Sequence, residues 1–157
     1  MRILVTGGCG FIGSNFIRYI LQHYKPASIT NVDALTYAGN LANLDGVVEE
    51  HGERYEFFKA DIANADAMDK LMVDHQFFAI VNFAAESHVD RSINSPENFI
   101  HTNVIGTSVL LSAARKYGVQ RFVQISTDEV YGSLGKTGKF TEQSPLDPSS
   151  PYSSSKA

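Results

Sequence analysis

Met1-Arg-Ile-Leu-Val-Thr-Gly-Gly-Cys-Gly-Phe-Ile-Gly-Ser14 joins a short apolar run, a glycine turn and the start of an amphipathic pattern. The apolar residues 3–5 predict a buried strand. Gly7, Gly10 and Gly13 follow with the spacing G-x-x-G-x-x-G, a variant of the dinucleotide fingerprint. Glycines at such a turn let the backbone approach a pyrophosphate, and the N–H groups of the following helix face its charge. This stretch therefore predicts a dinucleotide site at the first turn of the chain.

Strand-like and helix-like patterns alternate along the remaining sequence. We predict four more strands, at Ser28–Asp33, Tyr55–Lys59, Ala79–Ala84 and Arg121–Ser126. The predicted helices cover Gly10–Tyr24, the region near Leu41–His51, a segment capped by Asn64 and running to Met72, and Glu97–Tyr117. Strands that alternate with helices are typical of a parallel sheet covered on both faces. The expected fold class is α/β, a Rossmann-type doubly wound parallel sheet, with residues 1–157 as one NAD-binding domain.

Composition excludes several other classes of protein. With 157 residues, 43% of them hydrophobic, the chain has the size and composition of one globular domain. Its 13 basic and 17 acidic residues give a net charge of -4, which offers no basis for nucleic-acid binding. No apolar run approaches the roughly 20 residues that span a bilayer, and no signal peptide precedes the first strand. The single cysteine, Cys9, fits a cytoplasmic location, and we interpret it as a small residue filling the glycine turn rather than a nucleophile.

Asp33 ends the second predicted strand, 20 residues after Gly13. A carboxylate at this distance can accept hydrogen bonds from both hydroxyls of an adenosine ribose. NADP would call for a basic residue nearby, and the sequence Ala34-Leu-Thr36 contains none. NAD is therefore the expected cofactor, and the alternative is that Asp33 is only a turn residue at a strand end.

Two further groups of residues could perform chemistry. Asp128 and Glu129 follow the fifth strand and could divide an acid role and a base role, or could merely cap the next turn. Tyr152 and Lys156 lie four residues apart, so on a helix they share a face, and a positive charge beside a tyrosine lowers its pKa. Pro151 favours a helix start at this point.

Together these motifs resemble the extended short-chain dehydrogenase/reductase superfamily, and within it the dTDP-glucose 4,6-dehydratase family. The resemblance rests on the glycine turn at 6–13, on Asp33-Ala-Leu-Thr-Tyr-Ala-Gly-Asn40, on Ala84-Ala-Glu-Ser-His-Val-Asp-Arg-Ser-Ile93 and on Ser126-Thr-Asp-Glu-Val-Tyr-Gly132. It covers essentially the whole chain. Sugar-nucleotide epimerases of the superfamily lack the paired carboxylates 128–129. Cys9 and Ser154 stand where the family usually has alanine.

The resemblance implies dehydration of dTDP-glucose to dTDP-4-keto-6-deoxy-glucose, with tightly bound NAD that is recycled. In that mechanism Tyr152, assisted by Lys156, removes the proton of the sugar 4-hydroxyl while NAD⁺ takes the hydride. Thr127 holds this hydroxyl, Glu129 removes the proton on carbon 5, and Asp128 protonates the leaving hydroxyl on carbon 6. Ser87, Thr127, Asp128 and Glu129 are the implied substrate contacts.

The resemblance also implies a set of cofactor contacts around the first turn and the ends of the following strands. These are Gly7, Gly10, Phe11, Ile12, Gly13, Asp33, Ala34, Leu35, Thr36, Asp61, Ile62, Phe83, Ala84, Ala85, Glu86, Ser87, Thr102, Tyr152 and Lys156. His88 and Asp90 are interpreted as structural, because the acid and base roles are already filled. The histidines show no metal-ligand spacing, and no metal is expected.

The long helix at 97–117 carries more apolar residues than one face needs, at Phe99, Ile100, Val104, Ile105, Val109, Leu110 and Leu111. Burial on two sides, against the sheet and against a second copy of the chain, would explain this. A helix that is buried on all sides within the core of its own chain would also explain it. The family resemblance favours a homodimer formed through a helical bundle.

Family members continue for about as long again beyond the motif lysine, into a small domain that holds the nucleotide-sugar. We therefore expect that the chain lacks this C-terminal substrate domain, and that residues 1–157 alone bind NAD without useful turnover. Two other functions stay open: another nucleotide-sugar epimerase, decarboxylase or dehydratase of the superfamily, and an inactive NAD-binding fragment. The resemblance also implies a role in deoxysugar synthesis, rhamnose for example.

Overall fold

The fold was analysed in a computed structural model that describes residues 1–157. Five parallel strands form one sheet in the order β3-β2-β1-β4-β5. The strands are β1 (Arg2–Thr6), β2 (Ser28–Asp33), β3 (Tyr55–Lys59), β4 (Ala79–Asn82) and β5 (Arg121–Gln124). The predicted doubly wound parallel sheet of the Rossmann type is thus confirmed.

Helices fill the connections between the strands. They are α1 (Phe11–His23), α2 (Val47–His51), α3 (Ala65–Asp74), α4 (Val89–Asn94), α5 (Pro96–Phe99), α6 (Thr107–Lys116) and α7 (Pro151–Lys156). Single turns of 3₁₀ helix cover Leu41–Leu44, Gly52–Arg54 and Asp128–Tyr131. None of these helices combines the length and apolarity that crossing a membrane requires.

The two faces of the sheet bury separate apolar clusters. Alternate residues of a strand point to opposite faces, so Ile3 and Val5 pack with α1 and α2 while Leu4 packs with α3 and α6. Ile17 and Leu21 of α1 are fully buried in the first cluster. Helical layers on both faces explain why the interior strands β1 and β4 carry three consecutive apolar residues each, at 3–5 and 79–81.

Several predicted boundaries were wrong by a few residues. β4 ends at Asn82 and β5 at Gln124, each two residues earlier than predicted. The pairing of β1 with β4 ends at Thr6 and Asn82, and the pairing of β4 with β5 ends at Asn82 and Gln124. The residues beyond these ends leave the sheet at its carboxyl edge. Helix α4 was missed altogether, and the stretch near 41–51 consists of a 3₁₀ turn and a short α-helix.

The long predicted helix consists of three consecutive segments: α5, a π-helical segment at Ile100–Gly106, and α6. π-helical turns are rare and frequently mark functional sites. These three segments together, residues 96–116, are called the rod below. The residues buried along one side of the rod are Phe99, Asn103, Gly106 and Leu110. Ile100, Val104, Ile105 and Leu111 are exposed, between 46% and 52%.

Candidate cofactor and catalytic site

The carboxyl ends of β1, β2 and β4 open into a cleft of about 390 Å³. Such a position is the usual ligand site of an open parallel sheet. All the cofactor contacts implied by the sequence line this cleft except Leu35, which packs beside the first apolar cluster. Six lining residues were missed: Val32, Ala38, Gly39, Ala60, Ile125 and Ser126. Their position at or just after strand ends is the sequence signal that could have found most of them.

The floor of the cleft is the glycine turn. Gly7 has φ +67° and its N–H donates to Val32 O at 2.8 Å, which fixes the turn to the end of β2. A Cβ on Gly13 would lie 2.4 Å from the carbonyl oxygen of Gly7, and a Cβ on Gly7 would lie 2.5 Å from the nitrogen of Ala84. Side chains at these positions are therefore excluded by the backbone itself. Gly7, Gly10 and Gly13 of this turn all line the cleft.

Asp33 is held firmly at the side of this turn. One carboxylate oxygen accepts a hydrogen bond from the backbone N–H of Cys9 at 2.9 Å, and the other accepts from the N–H of Leu35 at 2.8 Å. A carboxylate has about four acceptor sites, so each oxygen keeps a lone pair for a ligand hydroxyl. This geometry suits recognition of a vicinal diol by the side chain.

Cys9 is fully buried, and burial raises the pKa of its thiol to about 11, with the nearby Asp33 charge acting in the same direction. A thiol with such a pKa is almost entirely protonated near neutrality and is a poor nucleophile. The structure thus agrees with the interpretation of Cys9 as a filler of the turn.

Tyr152 and Lys156 lie on α7 and both line the cleft. Ser150 caps this helix: its hydroxyl accepts from the N–H of Ser153, and the Ser153 hydroxyl accepts from the N–H of Ser150. Pro151 occupies the first turn, as expected from its fixed φ. The helix therefore starts where the sequence predicted.

The pKa of Tyr152 differs from the expectation. The pKa of Tyr152 is raised, chiefly by burial and also by the charges of Glu129 and Asp128 and by Tyr37, whereas the nearby Thr127 hydroxyl lowers it. Burial lowers the pKa of Lys156 to about 8. The prediction of a lowered tyrosine pKa is wrong for this structure, because desolvation of the phenol outweighs stabilisation of its charged form.

Thr127, Asp128 and Glu129 lie at the turn after β5, outside the walls of the cleft but close enough to influence Tyr152. The Thr127 side chain caps the 3₁₀ turn by accepting from the N–H of Glu129 at 3.3 Å. Asp128 and Glu129 are both exposed. The structure thus brings the two carboxylates, the threonine and the tyrosine to one end of the cleft.

Asn103 is a site residue that sequence analysis missed. It is 3% exposed, and its side-chain oxygen accepts from the N–H of Glu86 at 2.9 Å. Its amide nitrogen donates to Glu86 O at 3.0 Å and to the Ser155 hydroxyl at 2.8 Å. One asparagine thereby joins the π-helical segment, the cleft wall after β4 and the helix that carries Tyr152. Asn103 is one of five polar residues in the stretch 99–111, so the sequence alone did not distinguish it.

Comparison with known proteins gives the family of this chain. Residues 4–157 match the family model described as GDP-mannose 4,6 dehydratase. The chain belongs to this family.

Individual relatives are also similar over the whole chain. A low-salt glycan biosynthesis protein of Haloferax volcanii is 53% identical over 100% of this chain and 49% of its own length. A dTDP-glucose 4,6-dehydratase of Escherichia coli is 50% identical over 100% of this chain and 48% of its own length. The crystal structure of a dTDP-glucose 4,6-dehydratase from Streptomyces venezuelae with NAD bound superposes with a TM-score of 0.92 at 49% identity, covering 99% of this chain and 48% of that one. The chain thus spans about half the length of the relatives it matches.

Proposed function

We propose that this chain is the cofactor-binding half of an NAD-dependent dTDP-glucose 4,6-dehydratase, a lyase of deoxysugar synthesis. The observation that carries the proposal is a single cleft in which Asp33, the glycine turn and the Tyr152/Lys156 pair converge beside Thr127 and the two carboxylates. The names of the relatives in Escherichia coli and Streptomyces venezuelae support the substrate.

The residues of the cleft fit NAD. The turn presents backbone N–H groups and no side chain where a pyrophosphate would lie, and Asp33 retains acceptor capacity for ribose hydroxyls. A 2′-phosphate would meet the Asp33 charge without a compensating basic group among residues 34–36. The cleft therefore favours NAD over NADP.

In the proposed reaction each side chain moves or holds a proton at a defined atom. Tyr152 takes the proton of the sugar 4-hydroxyl, and Thr127 holds that hydroxyl. Glu129 removes the proton of carbon 5, which a ketone at carbon 4 acidifies. Asp128 protonates the hydroxyl that leaves carbon 6, and Ser87 contacts the sugar.

When bound, NAD⁺ supplies the hydride acceptor, the hydride donor for the last step and a positive charge that favours the phenolate form of Tyr152. The raised pKa of Tyr152 in the protein itself makes such a charge necessary for a base near neutral pH. The ammonium of Lys156 contributes in the same direction when it is protonated, below its pKa of about 8.

Three further features belong to this proposal. A small substrate domain follows Ala157 in the polypeptide, as the greater length of the relatives suggests. The protein acts in the cytoplasm as a homodimer, with Ile100, Val104, Ile105 and Leu111 facing the second copy. An intact-mass measurement tests the first of these: a value about twice that of 157 residues supports it.

Incubation of the naturally produced protein with dTDP-glucose, followed by product analysis, tests the function. We expect the 4-keto-6-deoxy product without added NAD, and loss of product in a Glu129→Gln variant. Conversion of UDP-sugars instead would show another enzyme of the superfamily. NAD binding without any product from a full-length protein would show a cofactor-binding module alone.

A further inference from the structure

Tyr37 and Arg91 form a contact that the proposed function does not use. The Arg91 guanidinium carbon lies 4.3 Å from the centroid of the Tyr37 ring, the geometry of a cation–π interaction. The Tyr37 hydroxyl also accepts from the backbone N–H of Ser87 at 3.4 Å, and the His88 ring lies 6.3 Å from that of Tyr37. Arg91 makes no ion pair with a carboxylate.

The two partners come from opposite sides of the glycine turn. Tyr37 lies in the loop after β2 and Arg91 in α4, after β4, and both strands flank β1 in the sheet. Strands two positions apart are separated by about 10 Å, so the contact spans the turn that follows β1. The contact therefore links the two loops that lie on either side of the turn.

The sequence neighbours of both partners line the cleft. Thr36 and Ala38 are wall residues on one side, and Glu86 and Ser87 on the other. The Tyr37 side chain itself lies at the rim, 46% exposed, and near enough to Tyr152 to influence its pKa. The contact therefore joins the two walls at the mouth of the cleft, beside the catalytic end.

The backbone conformation of the loop that carries Tyr37 is fixed at both ends of the loop. Leu35 has φ +55°, the only positive value among residues other than glycine, and its N–H is held by Asp33. The N–H of Asn40 donates to Cys9 O at 3.0 Å, which anchors the far end of the loop to the glycine turn. Both ends of the loop are thus tied to the site, and the unfavourable backbone angle is maintained by these contacts.

We propose that Tyr37 and Arg91 form a clasp across the cleft that slows the release of NAD between turnovers. The inference rests on the proposed function, because it needs NAD in the cleft. A reaction that returns its hydride to the same molecule has no use for cofactor exchange, so a contact that opens rarely is compatible with rapid turnover.

The test measures the rate at which bound labelled NAD is released from the naturally produced protein into excess unlabelled NAD. A cation–π contact at an exposed site corresponds to roughly a two- to fivefold change in an equilibrium constant. We expect Tyr37→Ala and Arg91→Met each to raise the release rate at least by this factor. The double variant should release NAD no faster than the faster single variant, since either change opens the clasp.

Conservative and matched controls separate the clasp from a structural effect. Tyr37→Phe and Arg91→Lys retain an aromatic face and a cation, and should release NAD within about twofold of the parent rate. Tyr24→Ala and Arg121→Met change exposed residues far from the cleft and should leave release unchanged. The unfolding midpoint of the NAD-free protein should fall by no more than about 4 °C in the clasp variants, as expected for the loss of one exposed contact.

Release rates equal to the parent in Tyr37→Ala and Arg91→Met would overturn the clasp and leave the proposed function intact. Fully additive effects of the two substitutions on the release rate would also overturn it. Additivity would mean that Tyr37 and Arg91 act through independent contacts rather than through their contact with each other. A parent protein that binds no NAD would overturn the proposed function, and the clasp with it.

Discussion

The amide nitrogen of Asn103 donates a hydrogen bond to the hydroxyl of Ser155 at 2.8 Å, across 52 residues of sequence. Ser155 lies between Tyr152 and Lys156 on α7, and its hydroxyl in turn donates to Tyr152 O at 2.7 Å. The same asparagine pairs both backbone groups of Glu86. The cleft wall and the helix that carries Tyr152 are therefore held by one buried side chain.

Replacing this side chain should loosen both segments together. In Asn103→Ala the N–H and C=O of Glu86 lose their partners in a partly buried position, at a cost of about 1–3 kcal/mol in the free energy of unfolding. Urea unfolding of the variant measures this loss, and faster hydrogen exchange at the Glu86 amide locates it. Asn98→Ala, at an exposed position of the same rod, is the matched control and should change stability by less than about 0.5 kcal/mol. Equal stability of the two variants would contradict the role given to Asn103.

Asp33 should determine cofactor affinity through its charge. In Asp33→Asn one of the two carboxylate oxygens becomes an NH₂ group, which faces the N–H of Cys9 or Leu35 and cannot accept from a ribose hydroxyl. Hydrogen bonds to charged groups are worth about 1.5–3 kcal/mol, so the dissociation constant of NAD should rise roughly 10- to 100-fold. Calorimetric titration with NAD measures it. Asp45→Asn, at an exposed carboxylate outside the cleft, is the control, and an unchanged affinity in Asp33→Asn would exclude the ribose role.

The sequence predicted the glycine turn, every strand and the place of the helix that carries Tyr152, because each depends on local pattern: apolar runs, glycine spacing and Pro151 at the first helical turn. It did not predict α4 or the π-helical segment. A six-residue helix such as Val89–Asn94 is not stable by itself, and its formation depends on tertiary packing, as the full burial of Ser92 shows.

The contacts of Asn103 and of Tyr37 were beyond prediction for a related reason. A π-helical segment shifts which side chains face the sheet, so a helical wheel drawn at 3.6 residues per turn misplaces Asn103. Tyr37 meets Arg91 only because the order of the strands brings the loops after β2 and β4 to either side of β1. Neither relation has a local signal in the sequence.

Lys156 should make stability depend on alkaline pH. Its pKa is about 8 in the folded chain against a reference value of 10.5, because burial penalises the ammonium form. Between these two values the folded chain binds fewer protons than the unfolded chain, so this lysine makes stability rise as the pH increases from about 8 to 10.5. The difference in unfolding free energy between the parent and Lys156→Met, measured across this range, isolates the contribution.

Below pH 8 the desolvated Lys156 ammonium lowers the stability of the folded chain, and methionine has no charge to desolvate. Lys156→Met should therefore be more stable than the parent in this range. The advantage should shrink as the pH rises through the window. Lys139→Met, at an exposed loop position, should show no such trend. A constant difference between parent and Lys156→Met from pH 7 to 10.5 would contradict the lowered pKa.

The exposed side of the rod at 96–116 should govern self-association. About half of each side chain is exposed to solvent at Ile100, Val104, Ile105 and Leu111. On the other side of the rod, Leu110 is buried in the apolar cluster at the sheet and Phe99 is buried next to the ring of Tyr152. Burial of this side by a second copy would remove apolar area from water, at about 25 cal/mol per Å². We expect Val104→Lys and Leu111→Glu to convert a dimer of the naturally produced protein into monomer, as sedimentation equilibrium would show.

The controls for this prediction are apolar residues exposed elsewhere. Val48→Lys, in α2 on the other face of the sheet, has comparable exposure, at 56%, and should leave the dimer unchanged. Dimers that persist in both rod variants would assign the interface to another surface. A monomeric parent would show that this apolar side is not used for self-association.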